Sequence, residues 1–173
     1  MEKINIIISD QSEENIKKII FDTSEKSTEE TVIISYDDTI KPCICCFGCW
    51  VKTPGQCLIN DHYSNMGQLF SKCSEIIVIS KCFYGGYSPF VKNVFDRSAC
   101  PYLLPYFKTK KGETHHPKRY KNNINLSAHF YGKISEAEKG TARKLINANG
   151  INLGQKTNIF FHDSFEEIKG VQI

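Results

Sequence analysis

The sequence of 173 residues lacks several features that would place it in a special class of protein. No apolar run approaches the roughly 18 residues that a membrane-spanning helix needs. The net charge is only +3, which does not demand a nucleic-acid or membrane partner. The N-terminal residues run directly into a strand-like pattern, without the charged, apolar and small-residue layout of a signal peptide. We therefore expect a cytoplasmic protein with neither a membrane nor a nucleic-acid partner.

Internal repeats and low-complexity tracts are also missing, and one domain covering residues 1–173 accounts for the length. Hydrophobic runs alternate with helical patterns along the chain. The run Ile76–Ile79 has no polar alternation, which indicates a strand buried on both faces of a parallel sheet. The order of elements predicts a flavodoxin-like three-layer α/β/α sandwich with a five-stranded parallel sheet in the order 2-1-3-4-5.

Two helices carry boundary signals. Ser88 is placed to cap one of them, and the pair Cys100–Pro101 is expected to end it. Ser135 and Glu138 form a capping-box pattern before the last helix, which Gly150 is expected to end. Ligands of such sheets bind at the carboxyl ends of the strands, beside strands one and three. The loops after residues 8, 36, 80 and 131 therefore form the expected functional edge.

Cysteine is abundant, and five of the eight cysteines fall in residues 42–57, here called the cysteine loop. Because a reducing compartment is expected, metal binding, thiol redox chemistry and packing are all open interpretations. Four cysteines have the spacing C-x2-C-x2-C-x7-C, which lets one loop wrap a [4Fe–4S] cluster or a zinc ion. These predicted ligands are Cys43, Cys46, Cys49 and Cys57. The alternatives are a redox-active thiol pair and thiols packed around Phe47 and Trp50.

Residues 101–122, here called the basic segment, combine positive charge with aromatic rings. The residues concerned are Lys108, Lys110, Lys111, His115, His116, Lys118, Arg119 and Lys121, among Tyr102, Tyr106, Phe107 and Tyr120. A solvated loop with aromatic residues at a subunit interface is the favoured interpretation. Contact with the phosphates of a nicotinamide or flavin cofactor and binding of single-stranded nucleic acid are the alternatives.

Three strings resemble one known family. They are Cys46-Phe47-x-Cys49-Trp50-x-Lys52-Thr53-Pro54-Gly55-x-Cys57, Tyr84-Gly85-Gly86-Tyr87-Ser88 and Glu113-x-His115-His116-x-x-Arg119-Tyr120. They are similar to the NAD(P)H-dependent FMN reductase branch of the flavodoxin-like flavoproteins. Related iron–sulfur flavoproteins carry a cluster on a compact cysteine motif in the same loop. The resemblance implies FMN, NAD(P)H as electron donor, a small-molecule or protein electron acceptor, and a homodimer.

The resemblance also implies where the flavin is held. Backbone groups and an aromatic side chain of the loop after the third strand would contact the ring, with two glycines admitting it and Tyr84 or Tyr87 stacking on it. The predicted flavin-binding residues are Ser9, Ser12, Ser80, Lys81, Phe83, Tyr84, Gly85, Gly86, Tyr87, Ser88 and His129.

The first loop departs from the family pattern. Residues 9–15 contain no glycine or arginine but do contain three carboxylates, those of Asp10, Glu13 and Glu14. Asp10 and Glu13 are expected to cap the first helix, at the amide groups that a phosphate would need. Like charges about 4 Å apart repel by roughly 1 kcal/mol in water and roughly 4 kcal/mol at an effective dielectric constant of 20. An iron–sulfur or zinc redox protein and a relative that no longer binds FMN are therefore alternatives to an FMN-dependent oxidoreductase.

Overall fold

A parallel β-sheet organises the computed structural model, which describes residues 3–21, 30–110, 112–154 and 156–171. In chain order the strands are β1 (Ile4–Ser9), β2 (Glu30–Ile34), β3 (Cys73–Lys81), β4 (Lys108–Lys110), β5 (Glu113–His115), β6 (Asn125–Tyr131) and β7 (Thr157–His162). Five of them form one sheet in the order β2-β1-β3-β6-β7, and every neighbouring pair in it is parallel. The predicted sheet and its strand order are confirmed.

Helices flank this sheet on both sides. They are α1 (Glu13–Phe21), α2 (Gly48–Val51), α3 (Met66–Lys72), α4 (Pro89–Tyr102) and α5 (Glu136–Leu153), and a short 3₁₀ helix follows at Phe165–Glu167. No helix within the described ranges is both long and apolar enough to cross a membrane. The basic segment, predicted as a loop, contains the antiparallel β4–β5 hairpin.

The central strands are buried on both faces because their side chains alternate between two cores. Ile6 and Ile76 pack in the larger core with α3, α4 and α5. Ile7 and Ile77 face the opposite side, where α1 and the residues after β7 cover the sheet. The unbroken apolar run of β3 is therefore buried on both faces of the sheet, as its sequence predicted.

Two predicted helix ends are wrong by a few residues. Helix α4 continues to Tyr102 with Pro101 inside its last turn, where the missing N–H removes only one late helical bond. Helix α5 begins with the predicted Ser135–Glu138 capping box but continues past the buried Gly150. It ends at Gly154, whose φ of 83° lies in the left-handed region that glycine adopts without strain.

The parallel topology separates the two ends of α4. Strand β3 ends at the carboxyl edge of the sheet, so α4 starts there and runs back toward the edge where β6 begins. The basic segment therefore lies at the amino edge. A helix of 14 residues is about 20 Å long, which sets the distance between the two ends.

Candidate functional site

The loop after β3 forms a tight hairpin turn at the carboxyl edge, and residues 83–86 are here called the aromatic turn. Phe83 and Gly86 exchange two backbone hydrogen bonds, of 3.0 and 2.8 Å. Tyr84 and Gly85, between them, have φ angles of 52° and 79°, as the two central residues of a type I′ turn do. The side chain of Tyr84 is 90% exposed and that of Phe83 is 42% exposed. The turn thus presents two aromatic rings to solvent beside the strand-order reversal.

Gly85 serves a different purpose from the one predicted. A Cβ atom there would lie 2.7 Å from the carbonyl oxygen of Glu138 and 2.6 Å from the Cβ of Thr141. Gly85 is therefore needed so that the aromatic turn packs on α5. The sequence pattern indicated that both glycines allow the close approach of a flat ring. At Gly85 the structure gives a different reason, which is close packing against α5.

Tyr87 is a core residue, although the sequence offered it as a stacking partner for a ligand. It is 7% exposed and stacks between Phe95 and Phe130, with ring centroids 4.9 and 5.6 Å away. Its hydroxyl accepts a hydrogen bond of 2.9 Å from Asn149 Nδ2, and burial raises the pKa of the phenol. Of the two predicted stacking residues, only Tyr84 is placed to meet a ligand.

Ser80 and Ser88 are joined to each other beneath the aromatic turn. Ser80 Oγ accepts a 2.8 Å hydrogen bond from the backbone N–H of Ser88 and donates to the carbonyl oxygen of Lys81 at 3.0 Å. Ser88 occupies the N-cap position of α4, but its side chain makes no capping bond. Its Oγ is buried, with no hydrogen-bond partner in the described part of the chain. Both serines therefore support the turn from inside.

Asp10 connects three strand ends at the carboxyl edge. One carboxylate oxygen accepts a 2.8 Å hydrogen bond from the backbone N–H of Lys81, and the other accepts a 2.9 Å bond from the Tyr131 hydroxyl. Gln11 Nε2 donates to the same hydroxyl at 2.5 Å. Burial and the nearby Asp10 raise the pKa of Tyr131. The prediction that Asp10 caps α1 is wrong, because its carboxylate is held by β3 and β6.

The N-terminus of α1 is capped by Ser12, whose Oγ accepts a 3.3 Å hydrogen bond from the N–H of Asn15. Ser9 is fully buried, and its Oγ accepts the N–H of Gln11 at 3.1 Å. Glu13 pairs with Lys17 at 2.5 Å, which replaces its predicted capping role. The two serines predicted to contact a phosphate are thus engaged in local structure.

A cavity of about 530 Å³ adjoins Asp10 on the α1 side of the sheet. It lies between α1, the end of β6 and the segment that follows β7. Its polar lining includes Gln11, Asn15, Lys18, Asp163, Ser164 and Glu166. Hydrogen-bonding groups therefore surround it, with more carboxylates than ammonium groups.

His129 lies on the sheet face, in a second cavity of about 600 Å³ that it shares with Asn158, Phe160 and His162. Its Nδ1 lies 3.1 Å from Nε2 of His162, and its ring stacks on Phe160 at 4.6 Å. Burial and then the neighbouring His162 lower the pKa of His129 to about 4. The structure therefore gives this predicted flavin contact a histidine partner on β7.

The cysteine loop follows β2 and was expected at the functional edge with the loop after residue 36, but it does not lie beside the aromatic turn. Trp50, in α2, donates its indole N–H to the carbonyl oxygens of Cys100 and Leu103 at 2.5 and 3.1 Å. This docks the loop on the far end of α4, about 20 Å along the helix from the turn. The thiols of Cys49 and Cys100 also contact each other. The spacing of cysteines within the loop did not predict that Cys100 lies next to Cys49.

Burial acts on two thiols of the loop and on the neighbouring Cys100. Burial raises the pKa of Cys43 and of Cys49, and with neighbouring thiols it raises that of Cys100 to about 12. A protonated thiol is a poor nucleophile and a poor metal ligand. Within residues 3–21, 30–110, 112–154 and 156–171, no three Cys, His, Asp or Glu side chains are arranged to hold a metal ion. The geometry gives the predicted cluster or zinc site at Cys43, Cys46, Cys49 and Cys57 no support.

Arg97 anchors to α4 the residues that flank the cysteine loop on both sides, Lys41 and Asp61. It is 1% exposed and makes a bidentate pair with Asp61, at 2.8 and 2.7 Å, and it also donates to the carbonyl oxygen of Lys41 at 2.7 Å. Burial alone would raise the pKa of Asp61, but the bonds from Arg97 and from backbone amides hold it below its usual value. Its neighbour in sequence, Asp96, pairs instead with Lys92 on the exposed side of α4.

The basic segment packs its aromatic side chains against the cysteine loop. Trp50 lies between Phe47 and His116, with centroids 5.4 and 5.3 Å away, and Phe107 covers His116 at 4.3 Å. Arg119 Nε donates to the carbonyl oxygen of Pro101 at 3.1 Å. Lys111 lies outside the described residues. The segment is thus part of the packing at the amino edge, away from the aromatic turn.

Tyr36 is a residue of the carboxyl edge that no sequence motif singled out. It follows β2, is 58% exposed, and packs edge-on against Phe90 at 5.5 Å. Its backbone N–H donates to the carbonyl oxygen of Gln11 at 3.1 Å. An aromatic residue at the end of a predicted strand, next to the expected functional edge, was the signal that could have identified it.

A parallel sheet in this strand order with helices on both faces is the flavodoxin-like α/β fold. The chain is similar to the crystal structure of an FMN-dependent NADH-azoreductase from Bacillus anthracis in complex with FMN. The TM-score is 0.51 and the sequence identity 16%, over 99% of this chain and 91% of that one. At this identity the likeness shows the fold. No protein-family model and no curated protein matches the sequence.

Proposed function

We propose that this protein is a flavin-dependent oxidoreductase that binds its flavin at the carboxyl edge of the sheet. The observation that carries the proposal is the aromatic turn, which holds Phe83 and Tyr84 exposed beside the reversal of strand order. Ligands of doubly wound sheets bind at this position. The azoreductase with the similar fold is described as binding FMN and as dependent on NADH, which supports the same class of chemistry here.

The residues present fit one part of an FMN molecule and not the other. A flat ring system fits the aromatic turn, because Tyr84 is 90% exposed and free to stack, and Tyr36 lies exposed on the same edge. A phosphate does not fit the β1–α1 loop, where Asp10 is fixed between Lys81 and Tyr131 and Ser12 already caps the helix. The site therefore supports a flavin ring more strongly than it supports the mononucleotide.

The flavin supplies the redox chemistry when bound, since it takes up and passes on electrons. The protein's own part is to hold the ring on the aromatic turn and to keep that turn rigid through Gly85 and Ser80. For the finer features we propose NAD(P)H as electron donor, a small-molecule or protein acceptor, a homodimer and a cytoplasmic location, as the resemblance implies.

The experiment is a fluorescence titration of flavin with protein purified without oxygen, followed by addition of NADH and of NADPH. We expect quenching of flavin emission on binding and bleaching of the flavin absorbance with a nicotinamide. Tyr84→Ala should weaken flavin binding about tenfold, because stacking on an aromatic ring contributes roughly 1 kcal/mol or more. Tyr106→Ala, an exposed tyrosine of the amino edge, is the matched control. Absence of binding by both FMN and riboflavin would contradict the proposal.

A further inference from the structure

We infer that this site selects a flavin without a phosphate, so that riboflavin or a similarly uncharged ring compound binds more tightly than FMN. The inference rests on the proposed function and adds the identity of the ligand. Two observations support it. The aromatic turn exposes Tyr84 for stacking on a ring, and carboxylates, among them that of Asp10, lie where the phosphate of FMN would bind.

The position of Asp10 is fixed by bonds to both neighbouring strands. Its oxygens accept from the backbone N–H of Lys81 at 2.8 Å and from the hydroxyl of Tyr131 at 2.9 Å. Turning the carboxylate away from an incoming anion would break both bonds and leave the partly buried Tyr131 hydroxyl without its acceptor. The negative charge therefore stays between the β1–α1 loop and the end of β6.

The N-terminus of α1 offers a phosphate little compensation. Ser12 caps the helix, and Glu13 and Glu14 occupy its first turn, where acidic side chains interact favourably with the helix dipole. The lysines nearest to this turn are engaged by the same glutamates, at 2.5 Å for Lys17 and 2.7 Å for Lys18. A dianion placed here would meet local negative charge at a helix end where Ser12 already accepts the N–H of Asn15.

The cavity beside this loop suits an uncharged polyol chain. The adjoining cavity of about 530 Å³ is lined by the amides of Gln11 and Asn15, the hydroxyl of Ser164, and the carboxylates of Asp163 and Glu166. Hydroxyl groups donate to carboxylate oxygens and bond to amides in either direction. The carboxylates of Asp163 and Glu166 are therefore placed as hydrogen-bond acceptors for a ribityl chain in this cavity.

The test compares riboflavin and FMN in the same quenching titration, at low and high salt. We expect riboflavin to bind the unmodified protein at least about tenfold more tightly than FMN, a difference that like-charge repulsion in a partly buried site readily produces. Added salt should tighten FMN binding and leave riboflavin binding unchanged, because screening weakens the repulsion. Equal or tighter binding of FMN would overturn the inference while leaving the proposed function intact, whereas failure of both flavins to bind would overturn both.

Two variants assign the selectivity to the named carboxylates. Asp10→Asn keeps an acceptor for Lys81 and removes the charge, and the double variant Glu13→Gln with Glu14→Gln changes only exposed side chains. Each should raise the affinity for FMN about threefold or more and change that for riboflavin less than twofold. Asp96→Asn, on the exposed side of α4, is the control and should change neither affinity. If the ratio of the two affinities is the same in all four proteins, the carboxylates do not set the selectivity and the inference is wrong.

Discussion

The carboxylate of Asp10 accepts a hydrogen bond from the hydroxyl of Tyr131, 2.9 Å away, and so joins the end of β1 to the end of β6. Its second oxygen accepts the backbone N–H of Lys81 at the end of β3. A single acidic side chain thus fixes the relative positions of three strand ends. The loop after β1 is consequently tied to β3 and β6 at the place where the resemblance implies a phosphate-binding loop.

Removal of the Tyr131 hydroxyl should therefore destabilise the fold. In Tyr131→Phe, one oxygen of Asp10 loses its donor, and hydrogen bonds to charged groups contribute about 1.5–3 kcal/mol. We expect a loss of about 1–2 kcal/mol in the free energy of unfolding, measured by urea denaturation. Tyr106→Phe, with an exposed ring, is the control. A Tyr131→Phe protein as stable as the unmodified one would show that this bond contributes nothing.

Truncation of Tyr84 and of Tyr87, on either side of the paired glycines, should change different properties of the protein. Tyr87→Ala removes a buried ring stacked on Phe95 and Phe130 and should cost about 3–5 kcal/mol of stability. Tyr84→Ala removes an exposed ring and should change stability by less than about 0.5 kcal/mol while weakening flavin binding. Thermal unfolding and flavin titration of both variants separate the two roles. Comparable losses of stability would contradict the assignment of Tyr84 to ligand binding.

Gly85→Ala should be much more damaging than Gly112→Ala. Both glycines have positive φ, 79° and 83°, so both substitutions carry a similar backbone strain of about 1 kcal/mol. At Gly85 the added methyl would also collide with α5, whereas at Gly112 it would meet no atom of the described residues within 4 Å apart from the adjoining residues of the chain. We expect Gly85→Ala to lose at least about 1–2 kcal/mol more, by the usual cost of overpacking. Equal losses would show that the aromatic turn can move away from α5.

Acidification should destabilise the protein through the paired histidines. The pKa of His129 is lowered to about 4 in the folded protein, while an unfolded histidine titrates near pH 6.5. Between these values the unfolded chain binds more protons, so stability falls as the pH drops from about 6.5 to 4 and this contribution is constant below that range. Denaturation of the unmodified protein across this interval should show the slope, and His129→Gln should reduce it. His62→Gln, at an exposed position, is the control; a slope that persists unchanged in His129→Gln would show that the pH dependence arises from other groups.

The sequence predicted what depends on local pattern. The unbroken apolar run of β3 and the Ser135–Glu138 capping box each follow from neighbouring residues, and both are present. It did not predict what depends on partners distant in the chain. Asp10 finds its partners 71 and 121 residues away, and no local signal distinguishes that arrangement from a helix cap. For the same reason Tyr84 and Tyr87 looked equivalent until the packing of α4 and β6 buried one of them.

The cysteine loop was misplaced because its anchor is also a distant contact. Its attachment to α4 depends on Arg97 and Asp61, which lie 36 residues apart and form a bidentate pair in which Arg97 is fully buried and Asp61 partly buried. Asp61→Asn would leave the guanidinium buried without its counter-charge and should cost about 3–5 kcal/mol. Asp96→Asn removes an exposed partner of Lys92 and should cost less than about 0.5 kcal/mol. Chemical denaturation compares the stabilities, and labelling of thiols with a maleimide reports the loop, which should react faster in Asp61→Asn because Cys49 loses its cover on α4. Unchanged labelling in a destabilised Asp61→Asn protein would mean that the pair stabilises the fold without holding the loop.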